Sequence, residues 1–262
     1  MTRWKASLIH LGLSAVIYVA LLYHIVFLWY PQPYFTADGG WEGVRLITGV
    51  DLVLGPLLTL IVFKAGKPGL RRDLALIGLL QAVALIWGTW LVYDQRIAMV
   101  SYVDGTFYTL NSEQLHDIGG QAPAIASQST STLPYAFVRL PANAVERQQL
   151  RRKALFSAKP LYQFGDHYEP LGKSNLPEVL TSGVEIEKYI ATSERDRHFL
   201  EHFLARHGGI AQDYAFLRLH SRYQELVLVL RRKDGSVVDT LNINPPITAA
   251  PPPSADTTPL IK

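Results

Sequence analysis

The sequence predicts a membrane protein in which a three-helix transmembrane bundle is followed by an exported α+β domain. Three observations carry this. Residues 7–30, 46–63 and 74–93 are apolar runs of the length a bilayer core of about 30 Å demands, roughly 20 helical residues each. Lys and Arg alternate between the connecting segments in the way that fixes orientation. Beyond residue 93 the apolar runs shorten and strand, turn and helix signals alternate. The expected organisation is a three-span domain over 1–93, an α+β domain over 94–244, and a Pro-rich, disordered tail over 245–262.

The first run holds only His10 and His24 as groups that can carry charge near neutral pH, the second only Asp51, and the third has no charge. Trp29, Tyr30, Trp41, Trp90 and Tyr93 mark the span ends, where amphipathic rings prefer the interface. Arg3 and Lys5 precede span one, and Lys64, Lys67, Arg71 and Arg72 lie between spans two and three. The 31–44 loop carries Asp38 and Glu42. This places the N-terminus and the 64–73 loop in the cytoplasm, and the 31–44 loop and everything after residue 93 outside. The first span reads as an uncleaved anchor: it outlasts a signal-peptide core, and Phe27-Leu28-Trp29-Tyr30 stands where a small-residue cleavage site would be.

Asp51 is the informative residue of the spans, because an intramembrane carboxylate is costly and faces protein or water. The run boundaries put Asp51 and His24 at a similar depth, roughly 10 Å below the outer surface. Two readings follow: a His24–Asp51 contact that locks two helices, or an Asp51 that receives a polar group from a partner. Thr48, Asp51, Gly55 and Thr59 form one stripe of span two. His10, Ser14, Ile17, Leu21 and His24 form one in span one, and Gly78, Gln81, Leu85 and Gly88 one in span three. Small and polar stripes permit close helix approach and interhelical hydrogen bonds. Gly55-Pro56 should kink span two, since proline lacks the amide donor. Three spans without an internal repeat or a second deep charge argue against a transporter.

In the exported domain, Ile97–Tyr102 and Thr106–Leu110 flank the turn Val103-Asp104-Gly105. Leu133–Leu140 reads as a strand, and Asn143 caps a helix to Ser157. Residues 159–176 read as a loop. A helical stretch runs from near Leu176 to Gly208-Gly209 with a break at Gly183. Strands follow at Tyr214–Leu219, Gln224–Arg231 and, after the Lys233-Asp234-Gly235 turn, Ser236–Asn242.

The chain has no cysteine, which excludes disulfides, thiolate catalysis and cysteine-held metals. The net charge of +3 resides in the membrane flanks; the rest is neutral. Arg151-Arg152-Lys153 and Arg231-Arg232-Lys233 are short clusters that helix and turn surfaces explain, so no nucleic-acid partner is expected. His116-Asp117 reads as a solvated pair. His198, Glu201 and His202 match H-x-x-E-H, in which two histidines bind zinc and the glutamate acts as base, but a charged helix face explains them more simply. No Gly-rich phosphate loop or G-x-S-x-G elbow occurs. No metal, cofactor or catalytic residue is expected.

Pro33-Tyr34-Phe35, Asp38-Gly39-Gly40 and the run from Val50 through Asp51, Gly55-Pro56 and Thr59 to Phe63 resemble the TfpX/TfpZ family of type IV pilin accessory proteins. Lys67–Asp73, Gln81-Ala82-Val83-Ala84-Leu85 and Arg96 fit the same pattern, over roughly residues 1–115. Ile97 departs from it, where many members carry proline. The resemblance implies a non-enzymatic protein of the bacterial inner membrane that helps the major type IV pilin assemble or be displayed, chaperone-like, alongside other pilus assembly proteins. The expected partner-binding residues are Asp51, Thr48, Gly55, Thr59, His24 and Gln81, with the lipid bilayer around them. A membrane scaffold or sensor and an exported metal-dependent hydrolase are the alternatives from other classes.

Overall fold

The computed structural model describes residues 2–30, 33–128, 133–190 and 193–243. The expected tail, 245–262, lies outside them. Three helices are long and apolar enough to cross a membrane: Arg3–Trp29, Gly40–Val62 and Leu70–Asp94. A mixed domain of sheet and helices follows. The chain divides into two compact units. One comprises 1–99 with 110–117 and 129–133, the other 100–109, 118–128 and 134–262.

In the first unit, α1 (Arg3–Tyr23) starts where Thr2 accepts a hydrogen bond from the Lys5 amide. It continues as a π-helical turn, His24–Trp29. A single turn, α2 (Tyr34–Ala37), precedes the second long helix. That helix consists of α3 (Gly40–Thr48), a π-helical turn Gly49–Leu54, and α4 (Gly55–Val62). The π turn ends at Leu54, immediately before Gly55-Pro56, so the helix widens where the missing amide of Pro56 was expected to kink it. The second long helix therefore begins at Gly40, six residues before the apolar run, and the segment expected as a loop to residue 44 is partly helical. α5 (Leu70–Asp94) is the third long helix; Lys67 Nζ donates to Asp73 Oδ2 at 2.6 Å in its first turn. Ile25, Tyr30, Phe35, Val44, Ile47 and Val92 form one apolar cluster that joins all three.

β1 (Ile97–Val103) and β2 (Thr106–Asn111) join through Asp104-Gly105, both at positive φ (52° and 84°). That pair of values is what a two-residue hairpin turn of matching twist requires. Then come α6 (Ser112–Ile118), α7 (Ala122–Gln128) and β3 (Tyr135–Val138). α8 (Ala144–Phe156) is capped by Asn143, whose Oδ1 accepts from Val145 N at 2.8 Å. β4 (Tyr168–Pro170) interrupts the expected loop, and α9 (Leu176–Thr181), α10 (Ile186–Ile190) and α11 (Glu194–His207) follow. β5 (Tyr214–His220), β6 (Glu225–Arg231) and β7 (Val237–Leu241) end the fold.

Among the described residues these strands make a seven-stranded sheet of order β4-β3-β1-β2-β5-β6-β7. β1–β3 and β2–β5 are parallel; β3–β4, β5–β6 and β6–β7 are antiparallel. β6 is buried from Leu226 to Leu230 without alternation, as expected for a strand covered on both faces. Leu200 and Phe203 of α11 and Ile186 of α10 pack against Tyr214, Phe216, Val227 and Val229. In the second unit Gly120 and Gly165 bring two backbone segments together so closely that a Cβ on Gly120 would lie 2.4 Å from the Gly165 carbonyl carbon.

Candidate functional site

The polar residues of the long helices are concentrated in the first unit. Asp51, Gly55, Pro56 and Thr59 are buried, and Thr48 is half-buried, its hydroxyl donating to Val44 O at 2.7 Å. The expected stripe of span two is thus the face turned toward the other helices. Gln81 of α5 lies against it: a Cβ on Gly55 would stand 1.9 Å from Gln81 Nε2. From α1, Ser7 Oγ donates to Pro56 O at 2.9 Å, and His10 Nδ1 lies 2.6 Å from Thr59 Oγ1.

The His24–Asp51 contact, the first of the two readings, does not occur among the described residues. His24 is exposed, and its Nδ1 lies 2.9 Å from Ala20 O of its own helix. His10 is the histidine within electrostatic range of Asp51. The reason is position along the two helices. Because the second helix begins at Gly40 and ends at Val62, Asp51 is its central residue, about 16 Å from each end at 1.5 Å per residue. His24 is five residues from Trp29, only about 8 Å from its end.

The other two expected stripes face inward in part. In α1 Ser14 and Leu21 of the expected stripe turn inward together with Tyr18, Leu22 and Ile25, while Ile17 and His24 are exposed. A 3.5-residue spacing lags a 3.6-residue helix by about 20° per heptad, so His24, two heptads from His10, has drifted off the contact face. In α5 Ile77, Gln81, Leu85, Gly88 and Val92 face inward to differing degrees, and Gly78 is exposed.

Asp51 is 5% exposed, and its Oδ2 meets no hydrogen-bond partner among the described residues. Buried polar atoms are nearly always satisfied, and an unsatisfied one carries a desolvation cost. Of the six expected partner-binding residues, the structure brings Asp51, Gly55, Thr59 and Gln81 to one place, with Thr48 at its margin and His24 outside it. Ser7 and His10 complete the place. His10 was visible as part of a stripe, but its partner, Thr59, is 49 residues away.

Aromatic side chains cluster at the C-terminal ends of the first and third long helices and at the start of the second. Tyr30 OH donates to Val92 O at 3.2 Å, the Trp29 and Tyr93 rings meet edge-on at 5.1 Å, and Phe35 and Trp41 do so at 5.3 Å. Arg96 lies 3.6 Å above the Tyr93 ring and donates to Tyr93 O at 2.8 Å. The aromatics expected at span ends thus pack on one another.

His198, Glu201 and His202 all lie exposed on α11. Among the described residues no group of three or more His, Asp or Glu side chains is gathered as a metal site would need.

The family described as fimbrial assembly protein FimB matches residues 1–39. The chain is 39% identical over 104 residues to the fimbrial assembly protein of serogroup E1 from Dichelobacter nodosus, covering 38% of this chain and 40% of that one. It is 38% identical over 104 residues to the fimbrial assembly protein of serogroups C1 and C2 from the same organism, covering 38% of this chain and 79% of that one. The chain thus spans well under half the length of the serogroup E1 relative but most of the shorter one. No solved structure matches. With 79% of the serogroup C1 and C2 protein covered at 38% identity, the chain belongs to the fimbrial assembly protein (FimB) family.

Proposed function

We propose that this chain is a bacterial inner-membrane accessory protein of the TfpX/TfpZ kind. It supports type IV pilus assembly or display by binding the major pilin, chaperone-like and without catalysis. Relatives that bear the name fimbrial assembly protein support the pilus role. The basic flanks of spans one and three support a cytoplasmic N-terminus and a periplasmic sheet domain. A pilin subunit of this class waits in the membrane on one apolar helix with its head outside, so a span bundle joined to an exported domain offers a surface to each part.

The observation that carries the reading is Asp51: a mid-span carboxylate, buried and with Oδ2 unsatisfied. A polar group on the pilin helix supplies the missing donor. Gly55 lies one turn away on the same stripe, and the Gln81 side chain that covers it is long and flexible, so its movement opens a path to the carboxylate.

The test is photocrosslinking of the full chain in intact membranes, with a photoreactive residue at Leu54, exposed on the second long helix, and another at Tyr223, exposed between β5 and β6. Capture of the major pilin at both supports the reading. No pilin at either site, together with normal piliation after deletion of the chain, overturns it.

A further inference from the structure

We propose that α8 is a membrane-docking element that lays the sheet domain onto an anionic bilayer surface. α8 has no buried residue along its 13 positions. Its last two side chains, Leu155 and Phe156, are 79% and 85% exposed, and two adjacent, almost bare apolar side chains on a folded domain mark a contact surface. Arg147, Leu150, Arg151 and Ala154 are the half-buried positions, so they define the face turned to the domain. Val145, Gln149, Arg152 and Phe156 fall within about 60° of one another on the opposite face.

Charge decides the occupant. Residues 144–159 hold Arg147, Arg151, Arg152, Lys153 and Lys159 against Glu146 alone. Two of the basic groups are engaged: Arg147 donates to Pro141 O at 3.0 Å, and Arg151 to Asp104 Oδ1 at 2.8 Å. Arg152 is exposed beside Phe156 on the outward face, and Lys153 and Lys159 flank the Phe164 ring at 5.7 and 5.5 Å. Lipid phosphates match the cationic part, and the acyl boundary takes the ends of Leu155 and Phe156, the division of labour of an interfacial helix. Proximity favours it as well. Only Gln95 and Arg96 separate α5 from β1, a leash of about 7 Å, so a domain tethered to a spanning helix meets the bilayer at high effective concentration. The inference rests on the chain spanning a membrane and not on pilin binding.

The absence of cysteine lets a single introduced thiol report. The full chain is placed in nanodiscs of phosphatidylcholine alone or with phosphatidylglycerol, labelled with an environment-sensitive dye at Gln149→Cys, or at Lys233→Cys in the β6–β7 turn, and exposed to a headgroup-level quencher lipid. The Gln149 label is expected to be quenched in the anionic discs and the Lys233 label to stay unquenched. Arg152→Glu with Lys153→Glu is expected to lower the docked population about tenfold, and Leu155→Ser with Phe156→Ser to lower it comparably. Equal quenching at both sites, indifference to both double substitutions, or quenching that needs an added acidic protein rather than anionic lipid overturns the proposal. Pilin is absent from this assay, so its failure leaves the pilus reading untouched.

Discussion

Replacing Asp51 by leucine separates a carboxylate kept for a partner from one that holds the bundle together. Asp51 is the central residue of the second long helix, about 16 Å from either end. At such a depth an aspartate disfavours insertion by roughly 2.5–3.5 kcal/mol, whereas leucine favours it by about 0.3–0.6 kcal/mol. Burial against protein and the attraction of His10 reduce the difference, which leaves a net gain of about 1–3 kcal/mol, in the range found when buried ionic groups give way to apolar ones. Asp51→Leu should therefore leave the purified chain as resistant to heat in detergent as the parent, or more so, while pilin crosslinking from Leu54 and the number of surface pili fall. Thermal melting of the full chain beside a pilin crosslink and a piliation count decides it. A variant that melts markedly earlier would show Asp51 to be a structural tie. A stable variant with unchanged capture and piliation would falsify the assignment of a partner to the carboxylate.

Gly120→Ala places a Cβ 2.4 Å from the Gly165 backbone at a φ of 59°, and should destabilise the sheet-bearing unit by at least about 3 kcal/mol, read as an earlier loss of its circular dichroism on heating. Asn143→Ala removes the acceptor for Val145 N and should cost about 1 kcal/mol; an unchanged melting temperature would count against the cap. Burial pushes the Tyr168 hydroxyl up from 10.0 to about 12. Below pH 10 the group is neutral in both folded and unfolded chains and contributes no pH dependence. Between pH 10 and 12 the unfolded chain ionises first, so stability falls as pH rises through that window. Tyrosinate absorbance should show at least one tyrosine that titrates only at the top of that range or on unfolding.

Local patterns were legible without coordinates. Three apolar runs become three long helices because each residue's backbone partner lies four positions away and the needed length is set by the bilayer. Asp104-Gly105 becomes a hairpin turn because both positions need positive φ, and Asn143 becomes a cap because its side chain reaches an amide two residues on. The stripe Asp51, Gly55 and Thr59 turned out to be a contact face because i, i+4 spacing survives in any helix of that pitch. Other features depended on distance along the chain. The order β4-β3-β1-β2-β5-β6-β7 brings β2 beside β5 across more than a hundred residues, and a parallel pairing leaves no turn in the sequence to announce it. β4 is three residues long and ends in proline, too little to carry an alternating pattern. The choice of His10 over His24 depended on where the second helix starts. Gly40 extends it beyond its apolar run, which shifts the depth of every residue in it, and only packing against α1 and α5 fixed which side chains share a level with Asp51.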